Sequence, residues 1–263
     1  MRQSKWFEKS PSAAALRSAA GWLRAGVLPV LFASGCIGVS QPKADASAPS
    51  SSALSACPGG LVPAADGLLD DFEDGDNQGA LEAGRDGYWY TSHDSLGSEI
   101  TIPAGGFATA EGGADGSSMA VHVKGKSSSS GDQAWGMELG LNFLNTQGEF
   151  YDASKYAAIF FKAKTGSKEA DKKVRVGIAD VNTHPSGNVC TACYNHFNNN
   201  IELTPDWKDY SLAFEDLRQR PYWGAPRPAR LTSNKVVNVN FQMGGGKDFD
   251  LWVDDVKFLE CKK

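Results

Sequence analysis

The sequence predicts an all-β fold, an antiparallel two-sheet β-sandwich of jelly-roll type, and three observations predict it. About ten short strand-like stretches follow one another between residues 66 and 260, separated by clusters of Gly, Asn, Asp and Ser. Several of them alternate apolar and polar residues, as half-buried antiparallel strands do. Strands never alternate with long helical periods, which excludes a parallel βαβ arrangement.

The predicted strands are, in order, 68–72, 88–92, 99–102, 118–124, 134–143, 156–164, 173–179, 200–203, 208–213, 236–243 and 249–258. In the tenth, Val237, Val239, Phe241 and Met243 share one face and Asn238, Asn240 and Gln242 the other. Ile159-Phe160-Phe161 and Val174, Val176 and Ile178 predict centrally buried strands. Trp89, Trp135, Trp207 and Trp252 lie in or beside strands and predict core positions. Residues 215–220 make the one expected helical turn, with Ala213-Phe214 feeding it. No internal repeat and no second domain is visible.

Residues 1–35 read as an export signal. Five bases against one acid precede an apolar run, Ala25 to Ala33, that is too short to span a bilayer, and Ser34-Gly35-Cys36 follows. That tripeptide resembles the bacterial lipobox, although alanine stands at 33 where leucine is usual. The resemblance implies a lipid on Cys36 and a membrane-held protein in the bacterial cell envelope, at the outer membrane or cell surface. Residues 36–65 read as the lipidated cysteine and a flexible Ser/Ala/Pro linker, too poor in large apolar groups to order itself. Net charge is −5 for the whole chain, but residues 36–263 hold 21 bases against 30 acids. Such acidity argues against nucleic acid as a partner.

Four cysteines remain, an even number that favours disulfides in an exported chain. Cys57 opens the folded region and Cys261 nearly closes it, so a bridge between them would clasp the ends. Cys190 and Cys193 suit a short structural disulfide. A zinc half-site with His184 and His196, or a redox pair, are the alternatives.

Several phrases then combine into a resemblance: Leu69-Asp-Asp-Phe-Glu-Asp-Gly-Asp76, Gly84-Arg-Asp-Gly-Tyr-Trp-Tyr90, Tyr151-Asp-Ala-Ser-Lys-Tyr156, Trp207 with Tyr210, Phe241-Gln242 and Leu251-Trp-Val-Asp-Asp-Val-Lys-Phe258. Over nearly all of 66–260 the order resembles the galactose-binding-like jelly rolls of the carbohydrate-binding modules, family 11 and its relatives especially. The resemblance implies a non-catalytic, polysaccharide-binding sandwich with a structural calcium ion (Ca2+). It implies Glu73 and Asp254 as the principal ligands of the ion, with Asp71 and Asp255 as lesser candidates. Calcium takes six to eight hard oxygens, which carboxylates and backbone carbonyls supply.

A sugar site needs exposed rings for C–H faces and fixed polar groups for hydroxyls. Loop positions offer Tyr194 and His196 in one segment and Tyr222 and Trp223 in another. Asn240 and Gln242 on their strand, with Asp180 and Asn182 at a strand end, are the polar candidates. Two competing functions are an envelope scaffold that binds protein and a hydrolase with a carboxylate pair such as Glu138 and Asp180. No nucleophile elbow, His-Glu-x-x-His or phosphate loop occurs.

Overall fold

The computed structural model describes residues 57–101, 109–128, 134–244 and 246–263. The expected signal 1–35 and Cys36 lie outside the described residues. Within them, β1 (Leu61–Asp70), β3 (Glu99–Thr101), β4 (Thr109–Glu111), β5 (Met119–Lys126), β7 (Ala158–Thr165), β10 (Lys208–Ala213) and β12 (Asp248–Cys261) form one antiparallel sheet. A second holds β2 (Trp89–His93), β6 (Met137–Asn142), β11 (Val236–Met243), β8 (Lys173–Asp180) and β9 (Phe197–Glu202), side by side in that order. The expected all-β antiparallel sandwich is therefore present.

The larger sheet is organised by β12. Asp248 to Val253 pair with β5, and Val256 to Cys261 pair with β1. The third neighbour, β7, runs along both halves, with a register shift between Asp254 and Lys257. Asp255, at φ 52°, supplies the extra twist of that bulge. One strand thus hands the sheet from β5 to β1 without a break.

Alternation carries the core. Trp89, Leu139, Phe241, Val176 and Phe197 from the smaller sheet meet Val121, Phe161, Tyr210, Leu251 and Phe258 from the larger one. Phe161 and Phe241 meet edge to face at 5.0 Å, and Tyr156 stacks on Phe258 at 4.5 Å. Truncating such a ring, Phe241→Ala for example, costs about 3–5 kcal/mol. Both disulfides form, Cys57 with Cys261 and Cys190 with Cys193.

Several expectations are corrected. The first strand begins at Leu61, and Cys57 is buried, so order starts before the expected linker ends at 65. The expected helical turn is confined to Phe214–Asp216, and two further short turns, Pro185–Gly187 and Ser233–Lys235, were not expected. Of the four tryptophans expected in the core only Trp89 is there. Trp135 is 39% exposed, and Trp207 and Trp252 are half-buried on the outer face of the larger sheet, where Trp252 stacks on His122 at 3.9 Å. A tryptophan on the outward phase of a strand cannot reach the core, and the sequence does not show the phase.

Candidate functional site

The outer face of the smaller sheet is polar, and the strand register sorts its side chains into rows. Ser92, Glu138, Gln242, Arg175 and Asn200 lie across one row, and Tyr90, Gly140, Asn240, Gly177 and Asn198 across the next. Two glycines make room in the second row. A Cβ on Gly140 would lie 2.4 Å from the Tyr90 ring, and one on Gly177 would lie 2.9 Å from Asn240 Oδ1. The phenol and the amide therefore lie down across neighbouring strands instead of standing away from them.

A chain of hydrogen bonds fixes them. The Tyr90 hydroxyl donates to Glu138 Oε1 at 2.6 Å and accepts from Asn238 Nδ2 at 3.2 Å. Asn240 Nδ2 donates to Asn238 Oδ1 at 3.2 Å. In the adjoining row Arg175 Nη1 donates to Gln242 Oε1 at 2.7 Å, and Gln242 Nε2 donates to the Trp135 carbonyl at 3.1 Å. Burial pushes the Glu138 carboxyl up, against the Tyr90 hydrogen bond. Burial and the Glu138 charge hold the Tyr90 hydroxyl well above its usual range, so it stays protonated. Such a surface holds donors and acceptors at set positions, as recognition of a hydroxyl-rich ligand requires.

Exposed rings stand around this face. Tyr88 is on the same strand phase as Tyr90 and is exposed, and Trp135 sits beside Gln242. Beyond β9 two segments meet. Ala192 bridges Ala225, and Asn198 bridges Arg218. Buried Asn195 donates Nδ2 to the Arg220 and Trp223 carbonyls at 2.9 and 2.7 Å, and its Oδ1 accepts from the Arg220 N–H at 2.9 Å. Gly224, at φ +82°, packs so closely that a Cβ would lie 2.6 Å from Asn195 Cβ. The result presents Tyr194, Tyr222 and Trp223 at one corner, with Tyr222 95% exposed. His196 lies behind Tyr194, edge to face at 6.2 Å, with Nδ1 3.0 Å from Thr183 Oγ1. Burial, with the neighbouring His184, pulls its pKa down to about 3, so the ring is neutral.

A second cluster joins the two ends of the fold. Glu73 Oε1 accepts from Ser117 Oγ at 2.7 Å and from the Ser118 and Met119 N–H groups at 2.9 and 2.8 Å. Asp254, fully buried, accepts from the Ala114 N–H at 2.7 Å through Oδ2. Both carboxylates thus hold the turn between β4 and β5. Burial raises the Asp254 carboxyl despite backbone bonds from Ala114 and Asp255, and among the described residues no lysine or arginine pairs with it. Asp71 caps the Glu73 N–H from an exposed position, and Asp255 pairs with Lys257 at 2.5 Å, so neither joins the pair. No group of three or more His, Cys, Asp or Glu side chains gathers around a metal position among the described residues. The side chains that meet at this turn, Glu73, Asp254 and Ser117, offer only oxygen atoms, and that donor chemistry fits calcium.

The structure thus gathers some expected residues and removes others. Tyr194, His196, Tyr222 and Trp223, from two separate segments, come to one corner. Gln242 and Asn240 lie on the outer face as expected, although Asn240 is covered by its neighbours. Asp180 is corrected from a ligand-facing residue to a brace. Its oxygens accept from the Asn182 N–H at 3.1 Å, Asn182 Nδ2 at 3.2 Å and the Thr232 N–H at 2.9 Å. Asn182 is held in the same brace through Thr232 Oγ1 at 2.8 Å. Arg175, Asn198 and Asn200 escaped sequence reasoning: Gly177 and Ala179 hide the polar alternation of β8, and the strand expected at 200–203 begins three residues after β9 does.

The family model described as carbohydrate binding domain 30 matches residues 82–260. A family 11 carbohydrate-binding module from Clostridium thermocellum, solved with a β-1,3-1,4-mixed-linked tetrasaccharide, is 19% identical, with 76% of this chain and 99% of that one covered and a TM-score of 0.49. A family 30 module from a cellulosomal cellulase of the same organism is 12% identical, with 66% and 92% covered and a TM-score of 0.46. No curated protein matches the chain. The matched span runs from before β2 to the end of β12, well over half of the sequence, and the chain belongs to the carbohydrate-binding domain 30 family.

Proposed function

We propose that this protein binds an extended polysaccharide along the outer face of its smaller sheet, without cleaving it, while a lipid on Cys36 holds it at the bacterial surface. The observation that carries the binding site is the hydrogen-bonded chain Glu138–Tyr90–Asn238–Asn240, flanked by the exposed rings of Tyr88 and Trp135 and by the Tyr194, Tyr222 and Trp223 corner. Rings offer flat apolar surface to the C–H faces of successive sugars, and the fixed polar floor sorts their hydroxyls. A calcium ion between Glu73 and Asp254 would serve the fold rather than the ligand. Its role would be to neutralise a buried carboxylate and tie the β4–β5 turn to both ends of the domain.

Affinity electrophoresis through gels of β-glucans, xylans and other polysaccharides tests the reading. Retardation is expected on at least one neutral polymer, and Tyr90→Ala and Trp223→Ala should each weaken it about fivefold or more while the melting curve stays cooperative. Absence of retardation across the panel, or retardation indifferent to both substitutions, refutes the site. Incorporation of a fatty-acid label that disappears in Cys36→Ser tests the anchor.

A further inference from the structure

Outside the sheet face, one cavity of about 280 Å³ lies at the aromatic corner, and its lining is arginine-rich: Arg218, Arg220 and Arg227, with Gln219, Pro221 and Pro228 among the rest. Its composition is unusual for this protein, whose residues 36–263 carry nine more acids than bases. No carboxylate lines the cavity, and none pairs with the three guanidinium groups among the described residues. Arg218 directs Nη1 at the carbonyls of Glu215 and Leu217. The side chains of Arg220 and Arg227 make no bond of this kind among the described residues. Exposed cationic side chains that line one space give it a positive potential that favours an anion.

A second feature points the same way. Gln219 Nε2 donates to the Asn195 carbonyl at 2.8 Å, but Gln219 Oε1 is buried with no hydrogen-bond partner. A buried acceptor left unmatched is costly, and a small turn of the side chain would bring it to a ligand hydroxyl. Cavity and platform also share one segment, since Tyr222 and Trp223 follow Arg220 and Pro221 directly and Asn195 holds both ends of that turn.

We infer that this cavity binds an anionic sugar unit of an acidic polysaccharide, its acid group held by Arg220 and Arg227, a hydroxyl given to Gln219 Oε1, and its chain continuing over Tyr222 and Trp223. The inference rests on the polysaccharide-binding reading above and adds the charge of the ligand to it. Guanidinium groups match both carboxylate and sulfate geometry through paired N–H bonds, so a uronic acid and a sulfate ester are the two sources of that chemistry.

The test uses the full-length protein and three polymers: polygalacturonate, a sulfated galactan and a neutral β-glucan. At least one acidic polymer is expected to bind more tightly than the neutral one, and its binding should weaken as salt is raised. The double variant Arg220→Gln, Arg227→Gln should bind that acidic polymer about tenfold or more weakly and the neutral polymer as before. Loss on polygalacturonate assigns a uronate, and loss on the sulfated galactan assigns a sulfate ester. If neither acidic polymer outbinds the neutral one, or if the double variant binds them as the parent does, the inference is overturned. Tyr90→Ala separates this failure from that of the sheet site. Acidic binding that survives Tyr90→Ala but not the arginine substitutions leaves the arginine cavity standing and removes the sheet face.

Discussion

Replacing Cys57 and Cys261 by alanine removes the covalent clasp between the ends of the domain and leaves the β1–β12 ladder to hold them. The bridge closes a loop with a sequence separation of 204. In the chain-entropy treatment a loop of that length confines the unfolded chain by about 5 kcal/mol at 25 °C. The Cys190–Cys193 bridge, with a separation of 3, confines it by only about 1.5 kcal/mol on the same footing. For a domain of this size each kcal/mol moves the melting point by about 2–4 °C, so the Cys57→Ala, Cys261→Ala variant should melt about 10–20 °C lower and the Cys190→Ala, Cys193→Ala variant about 3–6 °C lower. Far-ultraviolet circular dichroism should match the parent at 20 °C in both, because strand pairing does not depend on either bridge. Thermal melts without reductant make the comparison. Equal shifts in the two variants, or a shift of about 3 °C or less in the first, would refute the view that the long clasp acts by constraining the unfolded chain.

Three further outcomes are expected. If calcium sits between Glu73 and Asp254, adding it at about a hundredfold its dissociation constant should raise the melting point by about 5–10 °C, chelator should reverse this, and Asp254→Asn should abolish the response; an unchanged midpoint removes the ion. Asp70 is buried, accepts from Trp89 Nε1 and the Phe72 N–H, and has its pKa raised to about 7 by desolvation, against 3.8 when exposed. The folded form therefore keeps a proton that the unfolded chain has released, so this contribution is whole below about pH 4 and is lost as pH rises through 7. Urea unfolding should show the parent losing up to about 4 kcal/mol relative to Asp70→Asn between pH 4 and 8, and a constant difference contradicts it. Gly140→Ala should drive the Tyr90 ring off Glu138, since the new methyl would lie 2.4 Å from it, and polysaccharide affinity measured by calorimetry should fall about as far as in Tyr90→Ala. Affinity equal to the parent's would show that the phenol's position is immaterial.

How much of this was legible in the sequence varies with range. Strict alternation made β11 readable, both its core face and its polar face, because Asn238, Asn240 and Gln242 interrupt Val239, Phe241 and Met243 at every second position. The paired ends were readable too, since Cys57 and Cys261 flank the folded region. β4 was not, for Thr109-Ala110-Glu111 is three residues long and carries no apolar signal of its own. Strand phase was hidden wherever the outward residue was large, so that Trp135, Trp207 and Trp252 read as core. The binding face was hidden for a different reason. Tyr90, Glu138 and Asn238 are far apart in sequence, and only strand order brings β2, β6 and β11 together. Asp180 shows the converse error: a lone acid at a strand end looks available until the turn that follows it consumes its oxygens.

The clasp and the proposed anchor bear on each other through mechanics. If Cys36 carries a lipid, a pull on bound polysaccharide enters the domain through the residues before Cys57. Without the disulfide that force would peel β1 from the edge of β12, one backbone pair at a time, because Leu61 is the first residue of the ladder and pairs with Cys261. With the disulfide in place the same force passes directly to the end of β12. That strand is held along its length by β7 as well as by β5 and β1, so the load falls on several ladders at once. A single sugar contact of modest strength would then suffice, because many tethered copies would engage one polymer and each would withstand the tension it receives. Forced unfolding from the N-terminal side should accordingly require more force in the parent than in Cys57→Ala, Cys261→Ala, and equal rupture forces would mean that the clasp does not carry the load.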